Sequence, residues 1–273
     1  MHLAIAAADL LVISPHLDDA VFGCGEVIAG HPGALVVTLF AGTPEDGDMC
    51  TAWDQAAGFT NARQAMLARR REDRTALSCL DARALWLDFP GAQYLCRTDL
   101  HLLSARLVDV VRSAGPSRIL LPAGLEHEDH VTAHAAALMA MQTLCRSAVL
   151  NDYDWLMYEE PAYRRTPGLL QKRLANLSAA GIAATPARLH RAQLGRASDA
   201  PSGTEGLRKH VALQCYASQL RALRNAARPS LHDMYAPEAF WRLGEQPQKT
   251  AQPAEKFLLP SVEITNDSRR ARE

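Results

Sequence analysis

The 273-residue chain lacks the features that would place it in several large functional classes. None of its six cysteines (Cys24, Cys50, Cys79, Cys96, Cys145 and Cys215) stands in a CxxC or CxxxC pair, so spacing offers no thiolate metal site. Scattered single cysteines in a chain of this size suit a reducing compartment better than a disulfide framework. An excess of one charge is missing too. With 29 basic residues against 30 acidic ones, the net charge of −1 gives no bulk attraction to nucleic acid or anionic lipid. No apolar run is long enough to cross a bilayer. The opening MHLAIAAADLLVI is apolar but has no basic segment, unlike a secretory leader, and it runs straight into Pro15-His16. It reads as a buried strand, and a cytoplasmic location is expected. No GxGxxG follows this strand and no P-loop occurs. The fragment Gly23-Cys24-Gly25 lies inside a presumed helix rather than in the turn before one, which weakens a nucleotide-using reading.

What is present suits a folded α/β domain. Apolar residues make up 48% and charged residues 22%, enough to bury a sizeable core. Short apolar runs at 10–14, 34–40, 84–89, 118–123 and 154–159 alternate with helical patterns at 19–29, 63–80, 100–114 and 131–146. Strands and helices alternating at this spacing predict parallel βαβ units: a Rossmann-like, doubly wound, mostly parallel sheet with helices on both faces. The polar stretch from Ala41 to Asn61 is long for a connection, and a lid over a site is one reason for such length. After Pro161 the pattern weakens. A strand at Leu189–Leu194, a loop at Gln193–Thr204 and one helix from Leu207 to Asn225 are expected there. The whole chain, 1–273, reads as a single domain: a core over about 8–160, a C-terminal elaboration over about 161–244, and a loosely held tail over about 245–273. The run Arg69-Arg70-Arg71 reads first as a solvated helix face.

Ligands of open parallel sheets bind beyond the carboxyl ends of the strands. Two such ends carry dense sets of ligand-type residues. Pro15-His16-Leu17-Asp18-Asp19 follows the first strand, and His127-Glu128-Asp129-His130 follows the fourth. Hydrolytic zinc sites use three N or O ligands and keep one position for water. His16 and Asp19, three residues apart where strand turns into helix, can converge on one point, and His130 completes the trio. A carboxylate at that helix start is also favoured by the macrodipole. Asp18 and His127 remain beside it, the first suited to accept a proton from water and the second to stabilise an oxyanion or protonate a leaving amine. Asp129 is placed to orient an active-site histidine. A single Asp here would more often be a helix cap, and a single loop His a surface residue; it is the pairing of two such clusters that argues for chemistry. His134, one turn beyond His130, is open to a ligand or supporting role. A packed structural role is favoured, because four protein ligands would close the water position.

PHLDDAVFGCG followed by HEDHVTAH resembles the PIG-L/LmbE-like deacetylases, whose motifs are usually (P/A)HPDDxxxxxGG and HPDH or HxDH. ARRREDRTALSCLDA is similar to the family's Arg-rich helix, and KHVALQCYASQ to its late Lys-x-x-Ala-x-x-x-Tyr-x-Ser-Gln helix, so the likeness spans about Leu10 to Gln219. The resemblance implies zinc, or another divalent metal such as Fe2+, on His16, Asp19 and His130. It implies Asp18 as general base, His127 as oxyanion and leaving-group partner, and Arg69 as a contact to the sugar. It also implies a small-molecule substrate containing an N-acylated amino sugar, with secondary-metabolite or antibiotic biosynthesis as the expected setting. Nucleic acid and stable membrane insertion are not expected, and there is room for a homo-oligomer. Leu17 and Glu128 stand where the family usually has proline, and Glu26 where a second glycine is common. Proline supplies no ligand, so these departures relax the backbone without deleting chemistry. Two alternatives share the fold: an amidase of a sugar-thiol conjugate using the same site, and a non-catalytic sugar-binding protein. The second would be expected to lack a ligand or the base, and none is missing.

Overall fold

The computed structural model describes residues 5–147, 153–189, 204–225 and 231–245. Among them runs a seven-stranded sheet in the order β3-β2-β1-β4-β5-β7-β6. Its strands are β1 (Leu10–Ser14), β2 (Leu35–Thr38), β3 (Arg83–Trp86), β4 (Arg118–Pro122), β5 (Asp154–Tyr158), β6 (Ile182–Ala187) and β7 (Phe240–Glu245). The five strands from β3 to β5 are parallel, as expected, while β7 lies antiparallel to both β5 and β6. Successive strands are added on one side of β1 as far as β3 and then on its other side from β4 onward, so the crevice between β1 and β4 is the topological switch point.

Alternating side chains explain why β1 is buried along its whole length. Leu11 and Ile13 face the layer of α4 (Leu100–Ala114) and α5 (Glu128–Ser147), packing with Leu103, Leu107 and Ala137. Leu10 and Val12 face the opposite layer, formed by α1 (Asp19–Ala29), α3 (Ala62–Cys79), α7 (Thr204–Gln214) and α8 (Ala217–Asn225). The close approach of α1 to β5 requires Gly23, where a Cβ would sit 2.7 Å from the Tyr158 ring.

Several expectations change. The expected fourth helix begins at Glu128 rather than Val131, which puts Asp129 and His130 in its first turn. The Ala41–Asn61 loop contains a short helix, α2 (Ala52–Ala56), with Thr51 and Asp54 forming a capping box. The single helix expected from Leu207 is two, α7 and α8, broken at Cys215-Tyr216. The break occurs because Tyr216 turns into the core and donates to Asp73 (2.9 Å), while Glu72 accepts from the Ser218 backbone N–H (2.9 Å) at the start of α8. The chain beyond Pro161 also supplies α6 (Leu169–Ala179), β6 and β7, so the expected elaboration extends the same sheet. Of the strand expected at Leu189–Leu194, Leu189 is not in a strand and 190–194 lie outside the described residues. Residues 193–203 of the expected loop and 246–273 of the expected tail also lie outside them, Thr204 opens α7, and Glu245 closes β7. The solvated arginine face is overturned: Arg69 is buried and Arg70 bonds the Ala41 carbonyl and Asp88, leaving only Arg71 exposed. No helix of the described residues is long and apolar enough to cross a membrane.

Candidate active site

The turn after β1 is closed by its own residues. Ser14 Oγ donates to the His16 carbonyl (2.6 Å) and accepts from the Ala20 N–H (3.0 Å), while Asp19 Oδ2 accepts from the His16 N–H (2.9 Å). Asp18 occupies the cap position of α1 but makes no capping hydrogen bond; it lines the cavity instead. After β4, Gly124 takes φ +71, and α5 starts immediately beyond His127. A side chain at Gly124 would put Cβ 2.5 Å from the His134 Cβ and 2.9 Å from the His130 carbonyl, so the loop closes this tightly only with glycine.

Because β1 and β4 are neighbours, the two loops meet. His16 Nδ1, Asp19 Oδ2 and His130 Nε2 form a triangle with sides of 3.2, 3.1 and 3.2 Å. Three donors bound about 2.1 Å from one tetrahedral zinc ion stand roughly 3.4 Å apart, so these atoms are already spaced to share a divalent cation. The imidazoles of His16, His127 and His130 form a looser group, with ligand atoms within 4.8 Å of one another. The Asp19 triangle is the tighter one, and it uses two strand ends with a carboxylate at a helix start.

His127 differs from the two other rings. Its Nδ1 accepts from the Asp129 N–H (3.1 Å), so the neutral ring carries its proton on Nε2. Burial, with His16 and His130 close by, holds His127 down at about 4. His16 and His130 move the other way. Burial pulls on His16, but hydrogen bonds to Asp129 and Asp19 outweigh it and raise the ring to about 9. Burial likewise opposes His130, and Asp19 and Glu160 lift it to about 10. For Asp19, burial would raise the carboxyl, but His130 and His16 hold it well below the carboxylate range. Asp18 is pushed up to about 7 by desolvation and by the charge of Asp19.

Asp129 Oδ2 accepts from His16 Nε2 (2.8 Å), and the same carboxylate takes the Ala92 N–H (3.0 Å). His134 is 1% exposed, is not part of the cavity lining, and pairs its Nδ1 with the Pro122 carbonyl (2.8 Å). Its position is that of a packed residue behind the site. Glu128 is exposed and lies outside the cavity lining, as does Glu26.

The cavity over these groups measures about 970 Å³ including the solvent at its mouth. Phe22, Phe40, Trp53, Met66, Leu223 and Met234 make its walls largely apolar. Trp53 comes from α2 within the Ala41–Asn61 loop, and its Nε1 donates to Gln219 of α8 (3.0 Å). Arg69 lines the cavity but is only 5% exposed, and its guanidinium is engaged by Asp54 (2.8 Å) and the Tyr94 hydroxyl (3.3 Å). Asp54 itself is fully buried, so this ion pair anchors α2 and with it Trp53. Sequence reasoning singled out Arg69 but missed Asp54, Trp53 and Glu160. Asp54 lies in a stretch of loop composition and Glu160 in an acidic pair before a proline, both of which look like surface. The late helix motif did carry a signal, since Tyr216, Ser218 and Gln219 bond Asp73, Glu72 and Trp53.

A Rossmann-like sheet with a His-Asp-His triangle at its switch point defines the class: an α/β protein with a candidate metal centre between β1 and β4. Residues 11–141, the stretch that carries both ligand loops, match the PIG-L family model, described as GlcNAc-PI de-N-acetylase. No curated protein matches it by sequence. Among solved structures it is similar to a triple mutant of the deacetylase Orf2 of the teicoplanin biosynthetic pathway, with 23% identity and a TM-score of 0.65 over 88% of this chain and 99% of that one. It is also similar to the A40926 pseudoaglycone deacetylase Dbv21, at 22% identity and a TM-score of 0.66 over 87% and 98% of the two chains. GalB, the 4-carboxy-2-hydroxymuconate hydratase of Pseudomonas putida KT2440, matches at 19% identity and a TM-score of 0.53 over 96% and 100%. Likeness at these identities establishes the fold, and the last shows that the fold hosts more than one reaction.

Proposed function

We propose that the protein is a zinc-dependent hydrolase that removes an N-acyl group, most readily N-acetyl, from a small molecule or glycoconjugate containing an amino sugar. The observation that carries this reading is the donor triangle of His16, Asp19 and His130, with Asp18 beside it and free of capping. The donor set is of the N and O type that suits zinc, with Fe2+ fitting the same atoms. Bound there, the metal would supply Lewis-acid polarisation of an amide carbonyl and of water.

The chain's own residues do the rest. Asp18, desolvated and pushed up to about 7, is poised near neutrality to take a proton from water on the cavity floor. With a cation held by its neighbours, Asp18 would titrate lower and stay ionised as a base. His127, neutral with its proton on Nε2, donates to the carbonyl oxygen as negative charge develops there. Asp129 fixes the His16 ring from behind. The amine leaves after taking the proton that Asp18 accepted. The apolar walls, Trp53 foremost, receive the C–H face of a sugar and exclude water from the floor. Arg69 serves the sugar indirectly by holding the lid on which Trp53 sits. We infer further that 1–273 works as one domain, because β6 and β7 complete the sheet that β1 and β4 begin.

The deacetylases of the teicoplanin and A40926 pathways have this fold, which supports an amino-sugar substrate of antibiotic or other secondary metabolism. The test is a panel of N-acetylated amino sugars, their glycosides and glycopeptide or aminoglycoside precursors, assayed for released acetate with and without zinc. Zinc-dependent acetate release that Asp18→Ala abolishes while retaining stoichiometric zinc is the expected result. Absence of release across the panel, or full activity in D18A, overturns the reading. His130→Ala is expected to lose zinc, and stoichiometric zinc in that variant would remove His130 from the ligand set.

A further inference from the structure

Glu160 follows β5, the strand next to β4, and is 1% exposed. One of its oxygens, Oε1, accepts from the backbone N–H of Gly124 (2.7 Å) and of Leu125 (3.2 Å), and lies 3.3 Å from His130 Nδ1. Its other oxygen, Oε2, is buried without a partner among the described residues. The Gly124 peptide is gripped on both sides, since Arg173 of α6 donates to the Gly124 carbonyl (2.6 Å). Gly124 and Leu125 lead directly into His127 and His130, so whatever holds this loop holds both imidazoles.

A neutral imidazole carries one proton, and a cation can bind only the nitrogen that lacks it. With Nδ1–H turned toward Glu160 Oε1, the lone pair of His130 lies at Nε2, the corner of the donor triangle. The opposite tautomer would aim an N–H at Asp19 and leave the triangle one donor short. His16 has the equivalent arrangement, with Asp129 behind it at 2.8 Å.

We propose that Glu160 is a positioning residue for metal capture: through a single oxygen it sets the tautomer of His130 and pins the loop that delivers His127 and His130. The inference rests on the metal site proposed above. Removal of an outer carboxylate of this kind typically weakens metal binding about 10- to 100-fold.

The test compares wild type with Glu160→Gln, which keeps an oxygen for the two backbone N–H groups but loses the charge facing His130. Zinc affinity is measured by competition with a chelator, and the melting temperature is taken on the metal-free proteins. The expected result is zinc binding about 10-fold weaker or worse in E160Q, with metal-free melting close to wild type. Affinities equal within about twofold overturn the role of Glu160 and leave the metal site standing. A wild type that binds no zinc overturns the metal site and this role together. Nitrogen-15 spectra of the histidines in zinc-loaded wild type decide the matter if E160Q does not fold. A proton on His130 Nδ1 with zinc at Nε2 supports the assignment, and the reverse overturns it.

Discussion

The most informative single perturbation is the pair Arg69 and Asp54, because two roles for Arg69 predict different outcomes. Arg69 is 5% exposed and Asp54 0%, with 2.8 Å between Nη2 and Oδ1. Removing one member of such a pair leaves the other charge buried and uncompensated, a loss of about 3–5 kcal/mol. Arg69→Met and Asp54→Asn are each expected to destabilise by an amount of this order, D54N less if the amide oxygen keeps the bond that the Tyr94 hydroxyl donates to Asp54 Oδ1 (3.2 Å). The double variant leaves no buried charge, so its loss should fall short of the sum by about 2 kcal/mol or more. Urea unfolding of the four metal-free proteins measures this coupling. Kinetics separates the roles: an anchor acts through Trp53, so D54N should raise KM as much as R69M does. Additivity within about 0.5 kcal/mol would refute the ion pair as anchor. A KM raised by R69M but untouched by D54N would instead make Arg69 a direct contact to the sugar.

Two further expectations follow from groups behind the site. Burial, with the Arg173 charge in support, holds His134 down at about 3, below its unfolded value of 6.5. The neutral ring therefore stabilises the fold fully above pH 6.5, and that contribution is lost as pH falls toward 3, by about 2 kcal/mol at pH 5. His134→Asn keeps a donor for the Pro122 carbonyl without titrating here, so the stability gap between wild type and H134N should narrow by about 2 kcal/mol from pH 7.5 to 5; a constant gap in urea unfolding would refute the assignment. Gly124→Ala adds a Cβ 2.5 Å from the His134 Cβ at a positive φ. A loss of at least about 2 kcal/mol and weaker zinc binding are expected, and wild-type melting in G124A would show that the loop is looser than its geometry implies.

How far the fold could be read from sequence depended on how local its causes are. β1, α1 and α4 begin where apolar periodicity and local breakers place them, because Gly30 and Gly115 end the helices through nearby contacts alone. The two ligand loops were legible for the same reason, since strand ends and dense ligand types lie within a few residues of one another. The α7–α8 break was not legible, because it is made by Asp73 and Glu72, more than 140 positions away in the chain. β6 was missed because its residues alternate weakly and include Pro186, and β7 because its apolar residues are few and pair only across the sheet. Glu160 escaped notice because nothing in an acidic pair distinguishes a buried carboxylate from a solvated one until a partner arrives from another strand.

The antiparallel placement of β7 has a consequence for synthesis. The donors of the triangle have all emerged by His130, and β5 follows soon after, but β7 emerges more than 80 residues beyond the end of β5. At roughly 5–20 residues per second, the nascent chain spends about 4–16 seconds with the outer edge of β5 uncovered. During that interval the edge offers unpaired backbone groups beside the strongly apolar Trp155, Leu156 and Met157. Production of this protein should thus be limited by aggregation before β7 docks, and slowing initiation or lowering temperature should raise the yield of folded chain more than strengthening any contact around the donor triangle.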